Sequence, residues 1–179
     1  MINFNAYKEK IRLSHELLQI PTDYESVYGL SLQMEAKKLT PIENDIFDRP
    51  QKLIYPAGIK WKQMKEAANS DGVIIQVISA FRSVDYQIDL IFRKLNKGQK
   101  IASILEVNAA PGYSEHHSGK ALDLATNNGK HLSEAFENTE AFNWLLENAI
   151  KYSFKLSYPR NCKVKICYEP WHWVYINTI

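Results

Sequence analysis

The stretch Val73-Ile74-Ile75-Gln76-Val77-Ile78-Ser79 decides how this chain is read. It is β-branched and almost wholly apolar, which predicts a strand buried on both faces. Asn69-Ser70-Asp71-Gly72 precedes it as a helix stop. Upstream of that stop a helix is predicted over 59–68, with Trp61, Met64, Ala67 and Ala68 on one side. Downstream, Ser83 stands where it can cap a second helix, whose Ile88, Ile91, Phe92 and Leu95 keep i, i+3, i+4, i+7 spacing and which stops before Gly98. Further out come a short strand at 121–125, a turn at Asn127-Asn128-Gly129, and a helix over 139–152 with Phe142, Leu145, Leu146, Ala149 and Ile150 inward. Strands at 154–158 and 164–176 close the chain. Helices segregated from a small, mainly antiparallel sheet make an α+β fold, expected as one globular unit.

The first 55 residues read as an N-terminal helix followed by a wrapping segment. Ala6, Ile11, Leu17 and Leu18 give a loose helical pattern ended by Pro21, and 39–50, with two prolines and several acids, reads as an ordered loop. Residues 56–179 form the remainder. At 179 residues the chain is long enough to bury a core without a metal or disulfide. Its 45% hydrophobic and 23% charged residues exclude a disordered or fibrous chain. A net charge of +2, with basic residues scattered among acids, gives no support to nucleic-acid binding. No apolar run is long enough to span a bilayer, and the first residues carry charges every few positions, so a cytoplasmic chain with no membrane insertion is expected. Cys162 and Cys167, in the last strand region, read as buried free thiols, with a cross-hairpin bridge as the alternative. His15 and His131 read as solvated.

Three stretches place ionisable residues where a core pattern wants apolar ones: 79–83, 111–124 and 168–175. Gly119 permits a sharp turn between His116 and a strand carrying Asp123, with Ala121 and Asp123 on one face and Leu122 and Leu124 on the other. His172 follows Glu169 by three residues; in a regular strand they would point apart, so a bulge at Pro170 is expected to bring them together. Two imidazoles and a carboxylate, His116, Asp123 and His172, suit one Zn²⁺ with a fourth position left for water. Glu169 is then placed as proton acceptor and donor, and Arg82 as a cation for an oxyanion or a carboxylate. A hydrolase triad of Ser114, His116 and Asp123 is the competing arrangement, although no nucleophile elbow surrounds Ser114.

The pattern Ser-x-His-x-x-Gly-x-Ala-x-Asp, from Ser114 to Asp123, followed by Glu169-Pro170-Trp171-His172, resembles the zinc D-alanyl-D-alanine carboxypeptidases of the VanY type and the related L,D-carboxypeptidases. Phe81-Arg82-Ser83 with Gln87, and Tyr158-Pro159, extend the resemblance over residues 56–176. It implies that His116, Asp123 and His172 bind zinc, that Glu169 is the catalytic base, and that Arg82 polarises the scissile carbonyl or holds the substrate. Ser114, Gln87, Tyr113 and Trp171 would meet the substrate, a peptidoglycan stem peptide or its precursor, with the chain acting as a monomer. A D,D bond is preferred over an L,D one on this reading. An endopeptidase of the same chemistry, or a zinc module that binds without turnover, are the alternatives. Its departures are Phe81 for tyrosine, His117 and Lys120 for glutamine and leucine, and Ser157 for an arginine before Tyr-Pro. The implied substrate lies outside the cytoplasmic membrane, so action in the periplasm or beyond stays open.

Overall fold

The computed structural model describes residues 4–127 and 130–176. The expected turn at Asn127-Asn128-Gly129 therefore lies partly outside the described residues. Two short helices open the chain, α1 (Phe4–Leu18) and α2 (Tyr24–Tyr28). A hairpin follows, β1 (Thr40–Asn44) and β2 (Pro50–Leu53), and then α3 (Tyr55–Ser70). Next come β3 (Gln76–Ser79), α4 (Val84–Asn96), α5 (Ile101–Val107) and β4 (Ala121–Ala125). The chain ends through α6 (Glu140–Asn148), β5 (Phe154–Leu156) and β6 (His172–Tyr175). The last four strands form one antiparallel sheet in the order β3-β4-β6-β5. The fold is α+β, as expected.

Two main hydrophobic clusters build the interior, one of them against the sheet. Leu122 and Trp173, cross-strand partners, pack with Trp61 and Met64 of α3 and with Phe142 and Leu145 of α6. A second cluster joins Leu18, Tyr24, Ile91, Ile104, Leu105, Tyr158 and Ile166. Asp123 pairs with His172 across the same two strands, so both belong to the face opposite Leu122 and Trp173. Antiparallel register thus puts Leu122 and Trp173 on one side and Asp123 and His172 on the other, beside Ala121 and Val174.

Several local expectations are corrected. The 39–50 loop is a β-hairpin: the buried Asp45 carboxylate accepts from the Phe47 and Arg49 amides, Arg49 Nε and Gln51 Nε2, and this closes the turn. The strand expected over 164–176 shrinks to β6, because the preceding backbone bonds separate elements: Lys165 N donates to Tyr28 O, Cys167 N to Glu106 O and Glu169 N to Tyr158 O. Cys162 and Cys167 consequently lie outside any strand as free thiols, one half-buried and one exposed. The buried strand at 73–79 is confined to β3, and Ile74 is exposed. Leu17, Phe92, Leu146 and Ile150 are also exposed, since Ser14, Gln87, Trp144 and Ala149 occupy the inward positions. The expected helix at 139–152 is α6 capped by Thr139 and continued by a 3₁₀ turn. Helix α3 starts four residues earlier than expected, with Pro56 in its first turn. Helix α5 was not anticipated. His15 is half-buried, its Nε2 2.9 Å from Pro111 O. Among the described residues no helix is long and apolar enough to cross a membrane.

Candidate active site

The 111–124 stretch folds around two left-handed glycines. Gly119 has φ +67°, and a Cβ there would lie 2.9 Å from Leu39 Cδ2. That turn ends the 3₁₀ segment carrying His116 and starts β4 carrying Asp123. Ser83 Oγ accepts from Tyr86 N and caps α4, while Glu35 Oε2 accepts from Val84 N, which anchors the segment bearing Arg82. Glu169 and His172 are joined by a turn rather than the expected bulge: His172 N donates to Glu169 O at 3.0 Å. The turn reverses the chain over three residues and brings Glu169 Oε2 to 3.7 Å from His172 Nδ1.

His116, Asp123 and His172 are all buried, and one donor atom from each lies within 4.8 Å of the others. His116 Nε2 is 3.2 Å from Asp123 Oδ2, and His172 Nδ1 is 2.9 Å from Asp123 Oδ1. The remaining ring nitrogens are held from behind, His116 Nδ1 by Ala80 O and His172 Nε2 by Glu115 Oε2 at 2.9 Å. Such outer partners orient metal-binding imidazoles. His116 Nδ1 is taken by Ala80 O and its Nε2 has no hydrogen-bond partner, so the hydrogen bond that a Ser114 triad needs is not formed.

The electrostatics favour a cation at this point. Burial, with repulsion from Arg82, pushes His116 down to about 4, keeping it a neutral donor. Burial opposes charge on His172 too, yet the hydrogen bonds its ring donates to Asp123 and Glu115 raise it to about 10. Asp123 is buried, and its two imidazole neighbours hold it well below the usual carboxylate range. His116 Nε2 is buried with no hydrogen-bond partner. A buried orphaned nitrogen, a carboxylate and a second imidazole are a donor set that fits Zn²⁺. Glu169 is raised to about 7, first by burial and then by Asp123 and Glu115, against His172 and Arg82.

These groups line a cavity of about 300 Å³ together with Ser114, Tyr158, Trp171, Arg82 and Lys94. Arg82 Nη1 lies 3.6 Å from Asp123 Oδ2, and its Nε is buried without a partner. Two expected substrate contacts fall elsewhere. Gln87 is fully buried behind the wall, its Nε2 donating to Ala109 O. Tyr113 faces a separate cavity beside α1, and its hydroxyl donates to Glu25. His117 is turned away from the other imidazoles, with Nδ1 2.7 Å from Arg82 O and Nε2 accepting from Gly112 N. Glu115, Lys94 and Tyr158 were missed as site residues. Lys94 had a signal, since it continues the inward stripe of Val84, Gln87 and Ile91; Glu115 had none.

Residues 51–178 match the model of the VanY family, D-alanyl-D-alanine carboxypeptidase. The chain belongs to the VanY family. Among relatives, YodJ of Bacillus subtilis is 39% identical over 119 residues, which cover 64% of this chain and 43% of that protein. A D-alanyl-D-alanine carboxypeptidase of Enterococcus faecalis is 31% identical over 122 residues, 62% of this chain and 43% of its own. The chain thus spans less than half the length of these relatives. The LdcB LD-carboxypeptidase, solved in work on peptidoglycan recognition, superposes with a TM-score of 0.70 at 34% identity, covering 79% of this chain and 69% of that one. A VanY-family fold therefore surrounds the cluster described above.

Proposed function

We propose that this chain is a zinc-dependent carboxypeptidase that removes a C-terminal D-alanine from peptidoglycan stem peptides or their precursors. The observation that carries the proposal is the convergence of His116, Asp123 and His172 beside a buried Glu169 that ionises near 7. Membership of the VanY family supports the same reaction class, and the 34% identity to an LD-carboxypeptidase supports an alanine-releasing specificity of either stereochemistry. His116 Nε2, Asp123 and His172 Nδ1 would hold the metal. When bound, zinc supplies Lewis acidity and brings the pKa of a water toward 7.

The protein's own groups do the rest. Glu169 Oε2 takes the proton of the attacking water and later delivers it to the leaving amine, a task suited to a carboxylate poised near neutral pH. Arg82, paired with Asp123 and next to the capped start of α4, faces the negative charge that develops on the scissile carbonyl oxygen. Ala80 O and Glu115 keep the two imidazoles oriented. Trp171 and Tyr158 wall the cavity and limit water access.

Glu169→Ala should retain metal by elemental analysis and lose turnover by about 100- to 10,000-fold. Wild-type rates in that variant would remove Glu169 from the proton role. We take a D,D bond as the preferred target and an L,D bond as the second reading, which LdcB similarity favours. Incubating metal-loaded protein with pentapeptide and tetrapeptide stems, and recording by mass which loses alanine, decides between them. Cleavage inside the stem would instead identify an endopeptidase, and no cleavage by fully loaded protein a binding module.

A further inference from the structure

Lys94 is out of place for a surface lysine. It lies on the last turn of α4, on the stripe of Val84, Gln87 and Ile91 that faces inward, and it lines the same cavity as Arg82 and Glu169. An ordinary lysine on such a helix would turn outward to water. No carboxylate lies within ion-pair distance of it among the described residues: Asp123 is engaged by Arg82, His116 and His172, and Glu169 lies against His172. Burial and the like charge of Arg82 both lower its pKa, and only the field of Glu169 opposes them. Two cations therefore face one pocket, and Arg82 Nε is itself unsatisfied. Lys94 is half-buried, and holding its ammonium beside Arg82 carries a repulsion that an anionic ligand would offset.

We propose that the Lys94 ammonium is the seat for the substrate's terminal α-carboxylate, which would make Lys94 the residue that restricts this site to chain ends. A free C-terminal carboxylate is the fixed negative charge that an exopeptidase substrate has and an internal peptide bond lacks. With Arg82 assigned to charge that appears only during reaction, Lys94 is left for charge present from the start. This inference rests on the peptidase reading above and adds the group that recognises the released residue.

The test compares stem pentapeptide and tetrapeptide, each as free acid and as C-terminal amide. Metal-loaded wild type should favour the acid in kcat/KM by about 10- to 100-fold, the range of a charge-assisted hydrogen bond. Lys94→Gln should bring that ratio close to one, mainly by raising KM for the acid, with the amide little changed. Lys94→Arg should restore part of it. A second arm measures calorimetric binding of the same acids and amides to Glu169→Gln and to the double variant with Lys94→Gln. A Lys94→Gln change that lowers acid and amide alike, or leaves the ratio intact in both arms, overturns the proposal. If wild type cleaves acid and amide equally, the carboxylate seat fails and the peptidase reading stands. If nothing is cleaved but acid binding still depends on Lys94, the peptidase reading fails and the seat stands.

Discussion

His117 stands next to a proposed ligand, yet its geometry is that of a brace. Its ring spans the Arg82 carbonyl and the Gly112 amide, tying the segment between β3 and α4 to the loop that carries His116. Removing it leaves two buried backbone groups unpaired. His117→Ala should therefore lower stability by about 2–4 kcal/mol, read as a shift in urea midpoint at unchanged slope. His117→Gln, which can still reach both groups, should lose less. Glu115 meets His172 Nε2 at 2.9 Å and is not among the residues lining the cavity. Glu115→Gln should weaken metal binding by about 10- to 100-fold in a competition titration, while His116→Ala and Asp123→Ala should lose the metal outright. Residue types and spacing singled out His116, Asp123 and His172, which the fold brings together. They could not reveal Glu115, because its partner His172 is 57 positions away and meets it only in the folded chain.

Among the elements, α4 and β4 were legible because each carries its own local signal. Ser83 offers the capping oxygen for α4, and β4 is a short apolar run interrupted only by Asp123. The hairpin of β1 and β2 was not legible. Its strands are half-exposed and carry Pro41 and Pro50, and its turn is closed by the Asp45 side chain. The segment before β6 reads as strand from Val164 and Ile166, but its backbone groups are claimed by α2, α5 and Tyr158 beyond β5 in turn. The turn at Gly119 belongs to this scale as well. Gly119→Ala adds a Cβ in a left-handed conformation against Leu39 and Ile54. It should cost about 1–3 kcal/mol, with a thermal midpoint lower by about 2–4 °C per kcal/mol. Metal affinity should fall with it, since the turn sets the distance between His116 and Asp123.

At the scale of the whole molecule, burial of titratable groups links stability to pH. His117 is pushed down to about 4 by burial, whereas an unfolded histidine titrates near 6.5. As pH falls below about 6.5 the unfolded chain takes up a proton that the folded one refuses. The contribution is therefore complete above 6.5 and is lost between 6.5 and 4. Other groups titrate in the same window, including Glu169 with the opposite sign, so the informative quantity is the difference from His117→Gln. With metal removed, the stability of wild type relative to that variant should fall by about 3 kcal/mol between pH 7 and pH 4. A parallel pair of pH profiles would mean that His117 does not stay neutral in the folded protein.

The sequence by itself determined the donor types, their spacing, the glycine that must turn left-handed, and the cap that anchors Arg82. These depend on interactions a few residues long, which composition and periodicity record. Tertiary structure alone decided that Asp123 and His172, 49 residues apart, share one face of the sheet. It also decided that Glu169 reaches them through a turn, that Glu115 backs His172, and that Lys94 faces the cavity without a counter-charge. Those outcomes follow from strand register and from exclusion of water, and both exist only once the helices have closed over the sheet.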